Sequence, residues 1–389
     1  MKYDVIIIGG GAAGLACAAR LDKSGKNINV CLLDAGERFG KKLAASGNGQ
    51  GNVSNTDMTV GHYHGGNLRR VEKIACADAY AGVGLFNCLF AVDDRGRIYP
   101  AGKQASALVD DLLNSLKTSR FTLSTGRKVE KIKTTASGFE VPAGGVTDEA
   151  KFIVLCTGGK AQKQFKTDGS SYKLATDCGH TLTPLYPSLV QLKTETVHIK
   201  SLKGIRADCV VTAVCTGETL CKTRGDVIFT EYGVSGNAVF TVSSYIADKH
   251  GAFLNIEFLP DFTEKEIAEN VSAHIKAGFD TEKLLSGTLH NMLGKAIIAR
   301  AGCPDPCKIA KTLKNFTLPV TGTLGFDYAQ VTKGGVDTDE VTDELESKLV
   351  KNMFLAGEIL DVDGDCGGYN LQWAFTSGIT VADAILKRL

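Results

Sequence analysis

Four residues near the start of the chain have the types and spacing to hold a dinucleotide. Gly9, Gly11 and Gly14 form G-x-G-x-x-G, and Asp34 follows Gly14 at an interval of about twenty residues. Each has a physical task. Gly9 permits a tight turn. At Gly11 a side chain would keep a pyrophosphate from the backbone. Gly14 lets a helix press close to the sheet. Ala12 and Ala13 lie where the helix N-terminus offers unpaired N–H donors and the positive end of its dipole. Asp34 can accept both hydroxyl hydrogens of an adenosine ribose.

The elements that must position these residues are legible around them. Residues 5–8 are a β-branched run suited to a strand buried on both faces, residues 12–21 a small-residue helix, and residues 28–33 a second buried strand. Asp34 ends that strand and Ala35 opens the turn behind it. Residues 44–55 are too rich in Gly, Asn and Ser for a regular element. Their place directly behind the ribose acid makes Ser46, Gly47, Asn48 and Asn52 candidate cofactor contacts, with Lys42 just before them. Residues 151–156 form another buried strand, ending in Thr157-Gly158-Gly159, a glycine turn where open α/β sheets bind ligands. The tail repeats the pattern. A strand over 353–356 runs into Gly357, Glu358 and Asp361. Gly367-Gly368 then opens a helix expected from about Leu371, with Asn370 as its N-cap and Gln372 in its first turn.

Between these segments, residues 105–116 have helical periodicity, 127–134 and 138–141 look like strands, and 168–179 reads as a helix stopped by glycine. At Pro184 the character changes. Residues 188–258 are β-rich, with strand candidates at 188–192 and 209–214 and a segment of either type at 238–245. Residues 262–313 are mostly helical, for example 264–276 and 289–301, and 316–320 returns to strand. This block carries no glycine fingerprint and reads as an insertion over the ligand-binding edge.

Bulk properties narrow the class. The 389 residues suggest two or three domains, and a net charge of +1 gives no bulk attraction to nucleic acid or an anionic membrane. No apolar run approaches a membrane span, and the start enters the first strand at once, so a cytoplasmic protein is expected. Of twelve cysteines only Cys303 and Cys307 lie close in sequence, and no further ligands complete a zinc set. Asp361, Asp363 and Asp365 begin a calcium-loop spacing but lack its terminal Glu. No metal is expected.

The longer motifs identify a family. GKKLAASGNGQGNVSN, GRIYPAGKQAS, GDVIFTEYGVSGNAVF, VTKGGV and GEILDVDGDCGGYNLQWAFTSG resemble those of the BaiN-like (YhiN-like) bacterial flavoproteins, within the glutathione-reductase-type FAD fold. The resemblance implies an α/β, Rossmann-like FAD domain built from both chain ends (1–187 and 321–389), a β-barrel-like insert (188–260 and 314–320) and a helical insert (261–313). It implies resident FAD, contacted by Gly9, Gly11, Gly14, Asp34, Ser46, Asn52, Val129, Gly158, Gly357, Asp361, Asn370 and Leu371. Ala12, Ala13, Ala35, Lys42, Gly47, Asn48, Thr157, Gly159, Glu358, Gly368 and Gln372 complete the expected site. The chain departs from the family pattern at Gln50-Gly51, where relatives carry Arg-Cys, at Ser235-Gly236-Asn237, where they carry SGP, and at Asp34 for Glu.

A flavin performs the redox step and the protein tunes it. The C-terminal helix, with its N-terminus open at Gly367-Gly368, is placed to stabilise negative charge at the N1–C2=O edge of the ring. The expected activity is hydride transfer from NAD(P)H through FAD to a small organic acceptor, such as a conjugated or steroid-like double bond. Alternatives are an amine or alcohol oxidase, a flavin-dependent modifier of RNA, or a non-catalytic flavin sensor. The neutral charge argues against RNA, and neither a nucleic acid nor a membrane is an expected partner. No second glycine fingerprint offers NAD(P)H a domain of its own, so it would visit the flavin transiently. Tyr99, Glu231 and Tyr232 are candidate acids or bases, though packing explains Tyr99 and solvation Glu231 and Tyr232 more readily, and Arg97 could hold a substrate carboxylate although most arginines are surface residues.

Overall fold

The computed structural model of the chain describes residues 1–118 and 120–389. They form two units, residues 1–186 with 331–389, and residues 187–330. Each has its own hydrophobic core.

The first unit opens with β1 (Lys2–Ile8), α1 (Ala12–Lys23) and β2 (Val30–Leu33). Val5, Ile6 and Ile7 are wholly buried, as a β-branched run covered on both faces requires. The one-turn α2 (Lys41–Ala44), β3 (Ser54–Asn55), β4 (Tyr63–Gly65), α3 (Leu68–Ala75), β5 (Phe90–Val92), β6 (Arg97–Pro100), α4 (Ala105–Ser115) and β7 (Phe121–Ser124) follow. β8 (Lys133–Thr135), β9 (Gly138–Ala143) and β10 (Val146–Leu155) make an antiparallel excursion. Residues 127–132, expected as strand, pair only through an isolated bridge from Val129 to Ala143. The backbone there is engaged elsewhere, with Arg127 N–H donating to Asp34 O at 2.9 Å. The helix expected over 168–179 shrinks to α5 (Tyr172–Thr176). Asp168 instead accepts from Ser170 N–H at 2.9 Å, a local turn that competes with helix.

β11 (Tyr186–Ser188) leads to the inserted unit. There β12 (Leu192–Thr194), β13 (Arg206–Cys215), β14 (Glu218–Phe229), β15 (Gly233–Ser235), β16 (Phe253–Phe258) and β17 (Phe316–Thr323) close a six-stranded barrel in the order β12-β15-β14-β13-β16-β17. The ambiguous 238–245 segment is helical, α6 (Asn237–Ile246), because Val239, Val242 and Ile246 recur at three- and four-residue steps and are buried. Three further helices complete this unit: α7 (Glu264–Lys276), α8 (Asn291–Ala301) and α9 (Pro306–Lys314). Their apolar faces share one core with the barrel, Ile267, Val271, Leu293 and Ile309 lying with Phe229, Phe258 and Phe316.

The chain re-enters the first unit through β18 (Val331–Lys333), β19 (Met353–Leu355), β20 (Val362–Gly364) and α10 (Tyr369–Leu386). The parallel strands now stand in the order β7-β2-β1-β10-β19, the doubly wound arrangement. α10 lies against α1, and Gly378 makes the approach possible. A Cβ there would sit 3.1 Å from Ala16 Cβ and 3.1 Å from Cys17 N. Among the described residues no helix is long and apolar enough to cross a membrane.

Candidate functional site

Four parallel strands end on one edge of the sheet, and each runs into a segment singled out by the sequence. β1 leads to Gly9, β2 to Asp34, β10 to Thr157-Gly158-Gly159, and β19 to Gly357-Glu358. Backbone hydrogen bonds hold these exits in register. Gly9 N–H donates to Leu33 O at 2.8 Å, Cys156 N–H to Ile8 O at 2.8 Å, and Ala356 N–H to Leu155 O at 2.9 Å. Crevices at the carboxyl ends of such strands are where open α/β sheets bind ligands.

The three fingerprint glycines have different surroundings. Gly9 has φ +106°, and a Cβ there would collide with the Cys156 carbonyl; a Cβ on Gly14 would collide with the Gly9 carbonyl. Both are compelled by protein packing. A Cβ on Gly11 would meet nothing within 4 Å. Gly11 is also the N-cap of α1, with no side chain capping the first turn at Ala12 and Ala13. An open, uncapped helix N-terminus fits a pyrophosphate. Asp34 Oδ2 accepts from Gly10 N–H at 2.7 Å and Oδ1 from Gly36 N–H at 2.6 Å, with Ala35 exposed between them. Each oxygen retains acceptor capacity for a ribose hydroxyl. Gly126 N–H donates to Gly36 O at 2.7 Å, which draws the segment carrying the buried Val129 beside Asp34.

On the other side of the edge, two expected contacts meet each other. Lys42 Nζ lies 2.8 Å from Glu358 Oε2, with both side chains half-buried. Glu358 Oε1 also accepts from Thr332 N–H at 2.9 Å, and Thr332 Oγ1 accepts from Lys160 N–H at 2.8 Å and Ala161 N–H at 3.0 Å. This polar web ties the loop after β2, the glycine turn after β10 and the exit of β19. Ser46 donates its hydroxyl to Leu43 O at 2.7 Å. Gly47 and Asn48 are exposed and left-handed. Gly51 is left-handed and tightly packed, a Cβ there falling 3.1 Å from Ala105 Cα and 3.1 Å from Leu108 Cδ1.

Asn52 Oδ1 and Thr157 Oγ1 are buried without a hydrogen-bond partner among the described residues. Orphaned buried polar atoms cost about 1–3 kcal/mol each. A polar cofactor seated along the edge would satisfy such atoms, so the residues present fit a dinucleotide.

The N-terminus of α10 starts two residues earlier than expected. Gly368 is the N-cap, at φ +106°; a Cβ there would collide with the Ser54 carbonyl and lie 2.8 Å from Asn52 Oδ1. Asn370 lies inside the first turn and closes the preceding loop, accepting from Gly364 N–H at 2.9 Å and donating to Gly364 O at 2.7 Å. Leu371 is half-buried. Gln372 is fully buried, and its amide donates to Ala75 O at 3.1 Å and Asp78 O at 2.8 Å, anchoring α10 to the end of α3. Burial pushes the Asp361 carboxyl up, against the pull of a hydrogen bond with Thr183 and the charge of Lys333.

Sequence reading missed several groups. Tyr172 is 3% exposed, its hydroxyl has no partner among the described residues, and burial with the charges of Glu358 and Asp361 raises its pKa. Pairing of β4 with β20 sets His62 and His64 against Asp365, at 3.1 Å each. These residues lie far apart in sequence, and no local spacing announces them. Of the acid–base candidates, Tyr99 is buried, and Arg97 pairs with Asp93 at 2.7 Å. Glu231 is an exposed partner of Lys203 at 2.6 Å, and Tyr232 contributes its carbonyl to Thr194 N–H at 3.1 Å.

The HI0933-like protein Rossmann domain pattern matches residues 3–384. The chain is 34% identical to 3-dehydro-bile acid delta(4,6)-reductase of Clostridium scindens, with 98% of each protein covered. It is 29% identical to Ribosomal RNA dihydrouridine synthase of Escherichia coli K12, with 99% of this chain and 98% of that protein covered. In fold it is similar to 3-ketosteroid delta1-dehydrogenase from Sterolibacterium denitrificans, at 13% identity and a TM-score of 0.53 over 100% of both chains. It is also similar to a flavocytochrome c3 fumarate reductase, at 16% identity and a TM-score of 0.52 over 99% of this chain and 78% of that one.

Proposed function

Because the chain belongs to the HI0933-like Rossmann family and is an FAD-dependent oxidoreductase, we propose that it saturates a carbon–carbon double bond conjugated to a carbonyl in a small, steroid-like acceptor, using NAD(P)H as a transient reductant. The observation that carries this reading is the full-length similarity to a 3-dehydro-bile acid delta(4,6)-reductase. When bound, FAD supplies two-electron transfer between reductant and acceptor.

The residues of this chain have the following proposed tasks. The amides of Ala12 and Ala13 bind the pyrophosphate over Gly11, and Gly9 and Gly14 hold strand and helix close enough for that. Asp34 takes the adenosine ribose, with Ala35 and Val129 flanking it. Lys42 and Glu358 clamp the two sides of the edge together. Thr157, Gly158, Gly159 and Gly357 border the middle of the cofactor, with Asp361 near. Ser46, Gly47, Asn48 and Asn52 face the N-terminus of α10 at Gly368, Asn370 and Leu371, whose dipole favours negative charge on the reduced ring by about 0.3–1 kcal/mol. Gln372 fixes the direction of that helix.

A second reading has one specific observation behind it, the similarity to Ribosomal RNA dihydrouridine synthase. Both relatives' names describe the addition of two hydrogens to an alkene conjugated with a carbonyl. The acceptor is the difference. Lys and Arg are balanced one for one by Asp and Glu across the inserted residues 187–330, and the whole chain carries +1. Polyanion binding draws on a cationic excess, so the balance favours a small acceptor.

The test is anaerobic. Purified holoprotein is reduced with NADH or NADPH, then mixed with androst-4-ene-3,17-dione, 2-cyclohexenone or an unmodified ribosomal RNA fragment. Bleaching by one nicotinamide and recovery with either enone supports the proposal. Recovery with RNA alone establishes the second reading. Bleaching by an amine or alcohol, with no response to nicotinamides, overturns both.

A further inference from the structure

Saturating a conjugated double bond requires a proton as well as a hydride, and one stretch of the first unit gathers groups able to deliver it. β6 pairs with β3, setting Arg97 opposite Asn55. Arg97 and Tyr99 alternate along β6 with Ile98, which is buried in the core, so they share the opposite face. The Arg97 guanidinium carbon lies 5.7 Å from the Tyr99 ring centre, and Lys103 Nζ lies 5.8 Å from it. Arg97 Nε and Nη2 both reach Asp93 Oδ2, at 2.8 and 2.7 Å, which leaves Nη1 outside that pair. Asn55 Nδ2 donates to Gly367 O at 3.1 Å and pins the loop between β20 and α10 against β3.

Cys366 stands in that loop, beside Gly367 and two residues before the N-cap of α10. It is a free cysteine, and the Asn55–Gly367 hydrogen bond holds its loop against β3 at the residue paired with Arg97. Tyr99 is 7% exposed, and its hydroxyl makes no hydrogen bond among the described residues. A tyrosine whose ring is packed away while its hydroxyl stays unbonded, an arginine with an N–H outside its ion pair, and a thiol in the adjoining loop form a polar cluster that an acceptor carbonyl could enter. Gly368, at the same turn, abuts the orphaned Asn52 Oδ1. The cluster therefore adjoins the end of the cofactor edge where α10 begins.

We propose that Cys366 donates the proton of the reduction, while Arg97 holds the carbonyl oxygen of the acceptor and Tyr99 hydrogen-bonds to the same acceptor. This rests on the reaction proposed above. The electrons come from NAD(P)H by way of reduced FAD. Hydride adds to the β-carbon, the alkene π pair moves onto the α-carbon and carbonyl oxygen, and the resulting enolate is stabilised by Arg97. The S–H bond of Cys366 breaks as its proton joins the α-carbon. The thiolate left behind is stabilised by Arg97 and regains a proton from water. An ordinary cysteine thiol is mostly protonated at neutral pH, so the resting group carries the proton it donates.

The experiment compares wild-type holoprotein with Cys366→Ala and Cys366→Ser. Each is reduced anaerobically with dithionite and mixed with androst-4-ene-3,17-dione or 2-cyclohexenone. Flavin content and bleaching should be unchanged in both variants, while recovery with the enone slows by about 10²–10⁴-fold in Cys366→Ala. A second readout uses no turnover. In oxidised wild-type protein the steroid should protect Cys366 from iodoacetamide, leaving the exposed Cys88 and Cys307 labelled at their usual rates. Recovery of Cys366→Ala at the wild-type rate, or labelling of Cys366 that ignores the steroid, overturns the assignment. If wild-type protein, fully reduced, recovers with neither enone, the proposed reaction fails and the proton donor fails with it. If wild type recovers and Cys366→Ala matches it, only the proton donor fails.

Discussion

At the scale of single residues, the three fingerprint glycines separate into two kinds. Gly9 and Gly14 are required by neighbouring backbone, whereas Gly11 faces open space. Their substitutions should therefore fail differently. Gly11→Ala should lower the apoprotein's melting temperature by only about 1–4 °C, since glycine outranks alanine at an N-cap by roughly 0.5–1 kcal/mol. It should still lower FAD affinity by at least tenfold (~1.4 kcal/mol), because the new methyl occupies the phosphate approach. Gly14→Ala should destabilise the apoprotein itself by about 1–3 kcal/mol through overpacking. Thermal melts of stripped protein, paired with flavin fluorescence titrations, check both. Equal melting temperatures for the two variants would refute the distinction.

At the scale of elements, α10 does the most positioning. Its N-cap Gly368 touches Ser54 and Asn52, Gln372 anchors it to α3, Gly378 presses it on α1, and its far end is held electrostatically. Gly368→Ala forces a side chain into a left-handed turn at about 1–2 kcal/mol and against the Ser54 carbonyl. Flavin retention on a desalting column should drop sharply; a fully yellow variant would contradict the placement of this turn.

At the far end of α10, Arg388 reaches Glu346 at 2.7 Å and stacks over Phe354 at 5.2 Å. The Arg388 hydrogen bond holds the Glu346 carboxyl below its ordinary value. The folded pKa is thus below the unfolded one, so the stabilisation is complete above the unfolded value of 4.5 and lost as pH falls through the folded value. Arg388→Ala should cost about 1 kcal/mol at pH 7, and the charge-dependent part of that cost should vanish near pH 3. Chemical denaturation at the two pH values measures this; an unchanged difference would leave packing on Phe354 as the whole effect.

At the scale of the molecule, two separate cores imply two cooperative transitions. The residues expected to hold FAD all lie in the unit of residues 1–186 and 331–389. Calorimetry should therefore resolve two transitions, and added FAD should raise one of them by mass action, by about 2.7 kcal/mol at a hundredfold excess over Kd. A single transition that shifts as a whole would show the units to be energetically inseparable.

The sequence by itself determined the first βαβ unit, its carboxyl-edge glycines and acid, and the return of the same fold at the chain's end. These are local patterns: a β-branched run, a glycine turn and a small-residue helix each impose their conformation through neighbours a few residues away. Motif resemblance added the barrel and the family. Tertiary structure decided what depends on distant partners. It shortened the helix expected over 168–179 to Tyr172–Thr176, made 237–246 helical, and moved the N-cap of α10 from Asn370 to Gly368 because the Ser54 backbone occupies the space of a side chain there. It paired Lys42 with Glu358, set His62 and His64 on Asp365, and bonded the Gly367 loop to Asn55, which pairs with Arg97. No spacing in a linear chain encodes such meetings. They arise only when strands from opposite ends are brought to the same sheet edge.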